Sequence, residues 1–305
     1  MEHRIAEDLH LRSTINVLST LGLAKIVWHC PLYRDAACEP PGGSRPNSDR
    51  ECQPNQKIPP KSGVPMYSSG PEELSANTRH DDDFEVVRRL LDERYSCRAF
   101  RPDPVPRDAI EKILATAQRS ASWCNSQPWH ITITESEGTE RLMRTLYEHA
   151  SNEAPQEPDF AFPREYKGAY LDRRRETGFQ LYSALGIGRG DKAAYTRQAL
   201  ENFRFFGAPH VAIITTDEAL GIYGAIDCGC YVSNFLLAAH ASGVATIPQA
   251  ALSSYAKVVR RELNLGVDRR MVCAISFGYA DEGHPANSYR TNRAPLEEAV
   301  KWITA

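Results

Sequence analysis

No membrane-spanning run is legible near the N-terminus. The apolar stretch from Ile15 to Trp28 is broken by Asn16, Ser19, Thr20 and Lys25, whereas a spanning helix needs roughly 20 mostly apolar residues. It also lacks a compact apolar core followed by a small-residue cleavage site, so no secretory signal is read. Charge of one sign is scarce: 36 Lys and Arg stand against 39 Asp and Glu, a formal net charge of -3. That balance provides no global basic field to gather nucleic acid or an acidic membrane, and small-molecule partners are expected. The eight cysteines show no C-x-x-C spacing suited to zinc or a redox couple, and a reducing, cytoplasmic setting is expected. The nine histidines are scattered without ligand spacing to acids, so no metal site is expected. There is no G-x-S-x-G, H-E-x-x-H or G-x-x-x-x-G-K-[ST], and the glycine run Gly186-Ile187-Gly188-Arg189-Gly190 follows no strand. Hydrolase, zinc-protease and nucleotide-kinase readings therefore lose their chemistry.

What is present is an ordinary globular composition, 42% hydrophobic and 25% charged over 305 residues. From Pro31 to His80 the chain is dense in Pro, Gly, Ser and Asn, with the acidic trio Asp81-Asp82-Asp83 following. Such a stretch buries too little apolar surface to offset chain entropy, so residues 1–80 are read as a disordered or extension segment and 81–305 as the folded domain. A short amphipathic helix is expected within residues 1–30.

Periodicity begins at Phe84. Phe84, Val87, Leu90 and Leu91 mark one helix face, and Ile110, Ile113, Leu114 and Ala117 mark another after the Pro-rich turn from Pro102 to Pro106. His130 to Thr134 alternates as a half-buried strand, while Val211 to Ile214 and Val272 to Ile275 read as buried strands. Glu137 to Ala150 and Tyr255 to Leu263 read as helices. Gly224 to Ala241 is a long, almost uniformly apolar helix carrying one acid, Asp227. A helix apolar all round must be covered on every side, by its own domain or by a partner subunit.

Four segments carry candidate chemistry. Arg94-Tyr95-Ser96-Cys97-Arg98-Ala99-Phe100 sets two guanidiniums and a hydroxyl within five residues, a donor set able to surround a phosphate. By itself it also reads as an ordinary basic helix end. Ser122-Trp123-Cys124-Asn125-Ser126-Gln127-Pro128-Trp129 offers a polar turn between a helix and a strand, where a planar heterocycle can be read by its rim and flanked by Trp123. Trp129 reads as a core residue. Gly243 to Ala251 is small-residue backbone that a ligand can approach closely, and otherwise a plain loop. Ser288 to Pro295 brings Arg290 and Arg293, which either complete a phosphate site or are simply solvated.

In this order the segments resemble the nitroreductase family over roughly residues 84 to 305. The Arg-x-Ser-x-Arg-x-Phe opening is matched by Arg94, Ser96, Arg98 and Phe100, and the Ser-x-x-Asn-x-Gln-Pro-Trp turn by Ser122, Asn125, Gln127, Pro128 and Trp129. The resemblance implies an α+β fold: three layers, with a central, mostly antiparallel sheet flanked by helices, assembled as a domain-interleaved homodimer. It further implies FMN held by Arg94, Tyr95, Ser96, Arg98, Ser122, Asn125, Gln127, Arg290 and Arg293, with Ile247, Pro248, Gln249 and Ala250 along the ring. Electrons would pass from NADH or NADPH to an aromatic oxidant by a ping-pong course, with no side chain acting as nucleophile or acid. Ala121, Gln249-Ala250 and Thr291 depart from residues common in the family. The stretch from Phe162 to Pro209 resembles nitrobenzoate reductases, which implies a lid over 151–206 and substrate contacts from Trp123, Tyr166, Arg173, Tyr182 and Phe205. Quinone reduction, reductive dehalogenation and flavin binding without turnover are the alternatives on the same scaffold.

Overall fold

Four antiparallel strands form one sheet in the order β1-β2-β4-β3, comprising β1 (His130–Thr134), β2 (His210–Asp217), β3 (Ala245–Gln249) and β4 (Arg269–Gly278). The computed structural model describes residues 76–304, so most of the disordered or extension segment expected over residues 1–80, with its short helix, lies outside the described residues, while its last five residues belong to the first helix.

Along β2 successive side chains point to opposite faces, and both faces are covered. Val211 and Ile213 join one core with Leu142, Leu146, Ile247 and Val259. Ala212 and Ile214 join the other with Ile113, Tyr231, Phe235 and Phe277. That double burial is why Val211 to Ile214, all fully buried, read as a continuous apolar run. On one face lie α3 (Ser136–Ser151) and α7 (Ala256–Glu262), and on the other α2 (Arg107–Ala117) and α6 (Gly221–Ala241). The result is the expected three-layer α+β architecture.

The helix α6 lies so close to β2 that a Cβ on Gly224 would come within 2.5 Å of Thr216 Oγ1. The segment Glu218–Ala241 is long and apolar enough to cross a membrane by composition alone. Here one side of it, with Asp227, Cys228, Tyr231 and Phe235, is buried in the protein. Its other side, with Ile222, Tyr223 and Ile226, is exposed on the single chain.

Two boundaries differ from the sequence reading. The first helix, α1 (Ala76–Glu93), begins before Phe84 and takes in the acidic trio. Phe84, Val87 and Leu91 remain exposed on it, so this apolar face is not covered by the described residues. The segment read as loop or backbone cradle, Gly243 to Ala251, contains the edge strand β3. Pro248 hides it, because a proline cannot donate to a ladder and is tolerated in sheets mainly at edges.

Candidate functional site

The segment Arg94 to Arg101 lies along the sheet edge and the chain that follows β4. Cys97 N donates to Thr246 O at 2.9 Å, Arg101 N to Tyr279 O at 2.8 Å and Asp281 N to Ala99 O at 3.0 Å. Asn287, buried, completes the tie: its Oδ1 accepts from Arg98 N at 2.7 Å and its Nδ2 donates to Ala99 O at 2.9 Å. These bonds carry the two ends of the domain to one place. A cavity of about 410 Å³ there is lined by Arg94, Ser96, Arg98, Arg290 and Arg293, residues nearly 200 positions apart in sequence.

The electrostatics of this cradle are unbalanced. Arg98 Nη1 donates to Ser96 O, Arg290 Nη1 to Asn287 O and Arg293 Nη1 to Thr291 Oγ1. Among the described residues none of these guanidiniums, nor that of Arg94, is paired with a carboxylate. Burial first, and the neighbouring Arg293 charge second, hold Arg94 below the usual arginine range. Arg290 lies 3.7 Å over the Tyr95 ring and Arg98 5.9 Å over that of Tyr289, so cation–π attraction holds the cluster open. The one acid on the cavity wall, Asp92, is paired with Arg88, so the four guanidiniums keep an excess of positive charge suited to a polyanion such as a phosphate ester. Cys97, between them, is no nucleophile, because burial pushes its thiol up to about 11.

The Ser122 to Gln127 turn is elsewhere, on α6. Cys124, Asn125 and Gln127 all adopt positive φ, at 51°, 54° and 48°, a conformation that neighbouring structure must impose on non-glycine residues. The buried carboxylate of Asp227 accepts from Trp123 N at 3.1 and 3.2 Å, and Ser122 Oγ accepts from Gln127 N at 3.0 Å. Gln127 Nε2 donates to Asn125 Oδ1 at 3.2 Å, while Gln127 Oε1 accepts from Gln118 Nε2 at 3.1 Å. The Gln127 side chain is thus a brace inside the turn. The Ser122 hydroxyl proton and the Asn125 amide protons are left without an acceptor among the described residues. Trp129 is a core residue, as read, and Trp123 is exposed and packs edge-on against Tyr223 at 4.7 Å. Within one chain no described hydrogen bond or cavity joins this turn to the arginine cradle.

On β3, Ile247 faces the core, and the buried Gln249 side chain accepts from Ser276 Oγ and donates to Asn202 O at 2.9 Å. Pro248 and Ala250 face outward. Only backbone is therefore available from Ile247 and Gln249. The segment 151–206, expected as a lid, contains α4 (Ala169–Ala184) and α5 (Lys192–Leu200). Tyr182 stacks on Tyr195 at 4.3 Å, Tyr166 lies 5.1 Å beneath Arg174 and Arg173 is paired with Glu298. The expectation for Phe205 is corrected: it is fully buried in the core, at φ 57° in a tight 3-10 turn, so its ring has no surface to offer a substrate.

Sequence reasoning missed Asp227 as a brace, noting it only as the one acid in an apolar helix. It also missed Asp159, a buried carboxylate that pairs with Arg260, meets Arg270 at 3.4 Å and accepts from Met271 N at 2.8 Å. Asn287, which ties the cradle together, left no signal in the sequence.

Comparison with known proteins accords with this geometry. The model of the nitroreductase family matches residues 91–279. Nitroreductase NfnB of Mycolicibacterium smegmatis is 37% identical over 221 residues, covering 72% of this chain and 93% of the relative. The 4-nitrobenzoate reductase of Pseudomonas putida is 32% identical over 212 residues, covering 70% and 92%. Among solved structures, the FMN-dependent nitroreductase NfnB from Mycobacterium smegmatis, in complex with NADPH, superposes with a TM-score of 0.70 at 35% identity, covering 73% of this chain and all of that one.

Proposed function

The chain belongs to the nitroreductase family, and on that premise we propose that it is an FMN-dependent oxidoreductase passing electrons from a reduced nicotinamide to a nitroaromatic compound, with a nitrobenzoate as the model oxidant. The observation that carries this reading is the arginine cradle, four cations against a single acid, Asp92, which is itself paired with Arg88. The terminal phosphate of FMN supplies the missing charge, with Arg94, Arg98, Arg290 and Arg293 as its partners and Ser96 and Tyr95 beside the sugar chain. When bound, FMN supplies the hydride-accepting and hydride-donating chemistry, so the protein's part is positioning and electrostatics. The backbone from Ile247 to Ala250 is assigned to the ring edge.

The turn offers Ser122 and Asn125 as donors with a fixed geometry, and in this reading they come from a second copy of the chain. Exposed apolar side chains on α1 (Phe84, Val87, Leu91) and on α6 (Ile222, Tyr223, Ile226) support a homodimer, because patches of this kind on a soluble chain mark interaction surfaces. The donor and the oxidant use one face in turn, a ping-pong course. Trp123, Tyr166 and Tyr182 are assigned to the oxidant. Arg173 is available to a carboxylate only after leaving Glu298. Residues 76–304 are proposed to suffice for all of this.

The direct test is an anaerobic visible spectrum of the purified protein, first with NADPH or NADH and then with 4-nitrobenzoate. Flavin bands that bleach and then return support the reading. A protein that carries no flavin and takes up none refutes it at the cofactor.

A further inference from the structure

The strand β3 has little main chain to hold it. It is the edge of the sheet, five residues long, and its one strand neighbour is β4. Pro248 gives that ladder no donor. Its start is pinned from the other side, where Ser96 bridges Thr246 and Cys97 N donates to Thr246 O at 2.9 Å. Its end is pinned by one side chain. Gln249 is 3% exposed and reaches in two directions: Oε1 accepts from Ser276 Oγ of β4, and Nε2 donates to Asn202 O at 2.9 Å and to Asn202 Oδ1 at 3.3 Å. The amide cannot be turned over, because Asn202 O is a backbone carbonyl, an acceptor only, and must meet the Nε2 end.

Asn202 lies in the 3-10 turn Glu201–Gly207, where Phe205, Phe206 and Gly207 take positive φ of 57°, 53° and 81°. Side chains such as phenylalanine hold these angles only where the surroundings impose them. Farther along the turn, Phe206 O accepts from Phe100 N at 3.1 Å, and Phe100 closes the segment that carries Arg94, Ser96 and Arg98. One turn therefore touches the cradle segment at Phe206 and the end of β3 through Gln249.

We propose that Gln249 is a positioning residue of the flavin site. By locking the end of β3 to this turn and to β4, it sets where the backbone from Ile247 to Ala250 stands against the ring, an inference that rests on the ring-edge assignment above. The side chain is buried and its two ends are taken up, so it acts through the backbone it holds and offers a ligand nothing directly. Backbone N–H groups beside a flavin favour its electron-rich reduced form, and such donors must be held within about 0.5 Å by a supporting layer of locked side chains. Methionine at 249 fills a similar volume but leaves Asn202 O and Ser276 Oγ without this partner. The strand end should then shift while the packing survives.

Three measurements on Gln249→Met and on Ser276→Ala test this. In the flavin-free protein, amide exchange across residues 247–251 is expected to quicken about tenfold in Gln249→Met. In the holoenzyme, the two-electron midpoint potential of the flavin is expected to fall by about 30 mV, equivalent to a tenfold change in its relative affinity for the two flavin states. The rate of flavin reduction at saturating donor is expected to fall about tenfold, with the donor KM nearly unchanged. Ser276→Ala removes one oxygen and is expected to move all three in the same direction by less, and it decides the matter if Gln249→Met does not fold. A lower melting temperature with potential and reduction rate intact would make Gln249 a plain structural brace and overturn the inference, as would unchanged exchange; in both cases the proposed function stands. A wild-type protein that takes up no flavin overturns the proposed function and this inference together, and its own spectrum shows that before either variant is made.

Discussion

In the cradle, the guanidiniums of Arg94, Arg98, Arg290 and Arg293 line one cavity whose single carboxylate, Asp92, is taken up by Arg88. In the Ser122 to Gln127 turn the backbone and the Gln127 side chain are held by partners, from Asp227 below to Gln118 beside it, while the Ser122 hydroxyl and Asn125 amide protons stay free. Each region therefore stores its cost differently. The cradle carries uncompensated charge, which an anion relieves, while the turn carries backbone strain at Cys124, Asn125 and Gln127, of order 1–3 kcal/mol per residue and sustained by its surroundings. Losing a cradle residue should cost ligand and spare the fold; losing a turn brace should do the reverse.

The largest effect is expected from Arg94→Ala combined with Arg293→Ala. Hydrogen bonds to charged groups contribute about 1.5–3 kcal/mol each, so FMN affinity should fall on the order of a hundredfold or more. The melting temperature of the flavin-free protein should hold or rise, because two repelling cations are gone. Fluorescence titration of FMN and calorimetry of the apoprotein read the two halves. A drop in apoprotein stability would make the cradle structural and erase the contrast.

Whether the two regions serve one site from two copies can be decided by complementation. A chain carrying the double arginine change is mixed with one carrying Ser122→Ala and Asn125→Ala, each inactive alone. If the walls come from different copies, the mixed dimer has one intact site, and activity returns on mixing. Continued inactivity at full heterodimer formation would put both walls in one chain.

A smaller effect is expected at the brace. Asp227→Ala leaves Trp123 N without its acceptor inside a strained turn, a loss of about 1–3 kcal/mol, with a shift in Trp123 emission. Asp227→Asn keeps an acceptor oxygen and should recover most of both. Equal behaviour of the two variants would show that the carboxylate does not hold the turn. Smallest of all, Arg173→Ala breaks an ion pair with Glu298 whose side chains are both about half exposed. Such pairs contribute about 0–1 kcal/mol, so urea midpoints should barely move, and a large change would mean that the lid is latched there.

Residue types and their spacing carried the candidate site: Arg94, Ser96 and Arg98 are close in sequence, as are Ser122 and Asn125, and short-range patterns survive in a single chain of letters. Strands β1, β2 and β4 were legible for the same reason, since their alternation or continuous apolarity reflects burial that local sequence records. What failed to show depended on distant partners. β3 carries Pro248 and small residues, and only pairing with β4 makes it a strand. Phe205 looked like a free aromatic because nothing nearby in sequence reveals a turn that drives its ring into the core. The apolar face of α1 marked by Phe84, Val87 and Leu91 is exposed, because periodicity reports that a face needs covering without saying what covers it.

By itself, then, the sequence determined the family, the three-layer class and which arginines to examine, because each is written in spacings of a few residues. Tertiary structure alone decided that Arg94 meets Arg293 across the whole domain, that Asp227 holds the turn, and that the turn and cradle part company within one chain. Those outcomes hinge on long-range hydrogen bonds and on apolar faces finding cover, which no local pattern encodes.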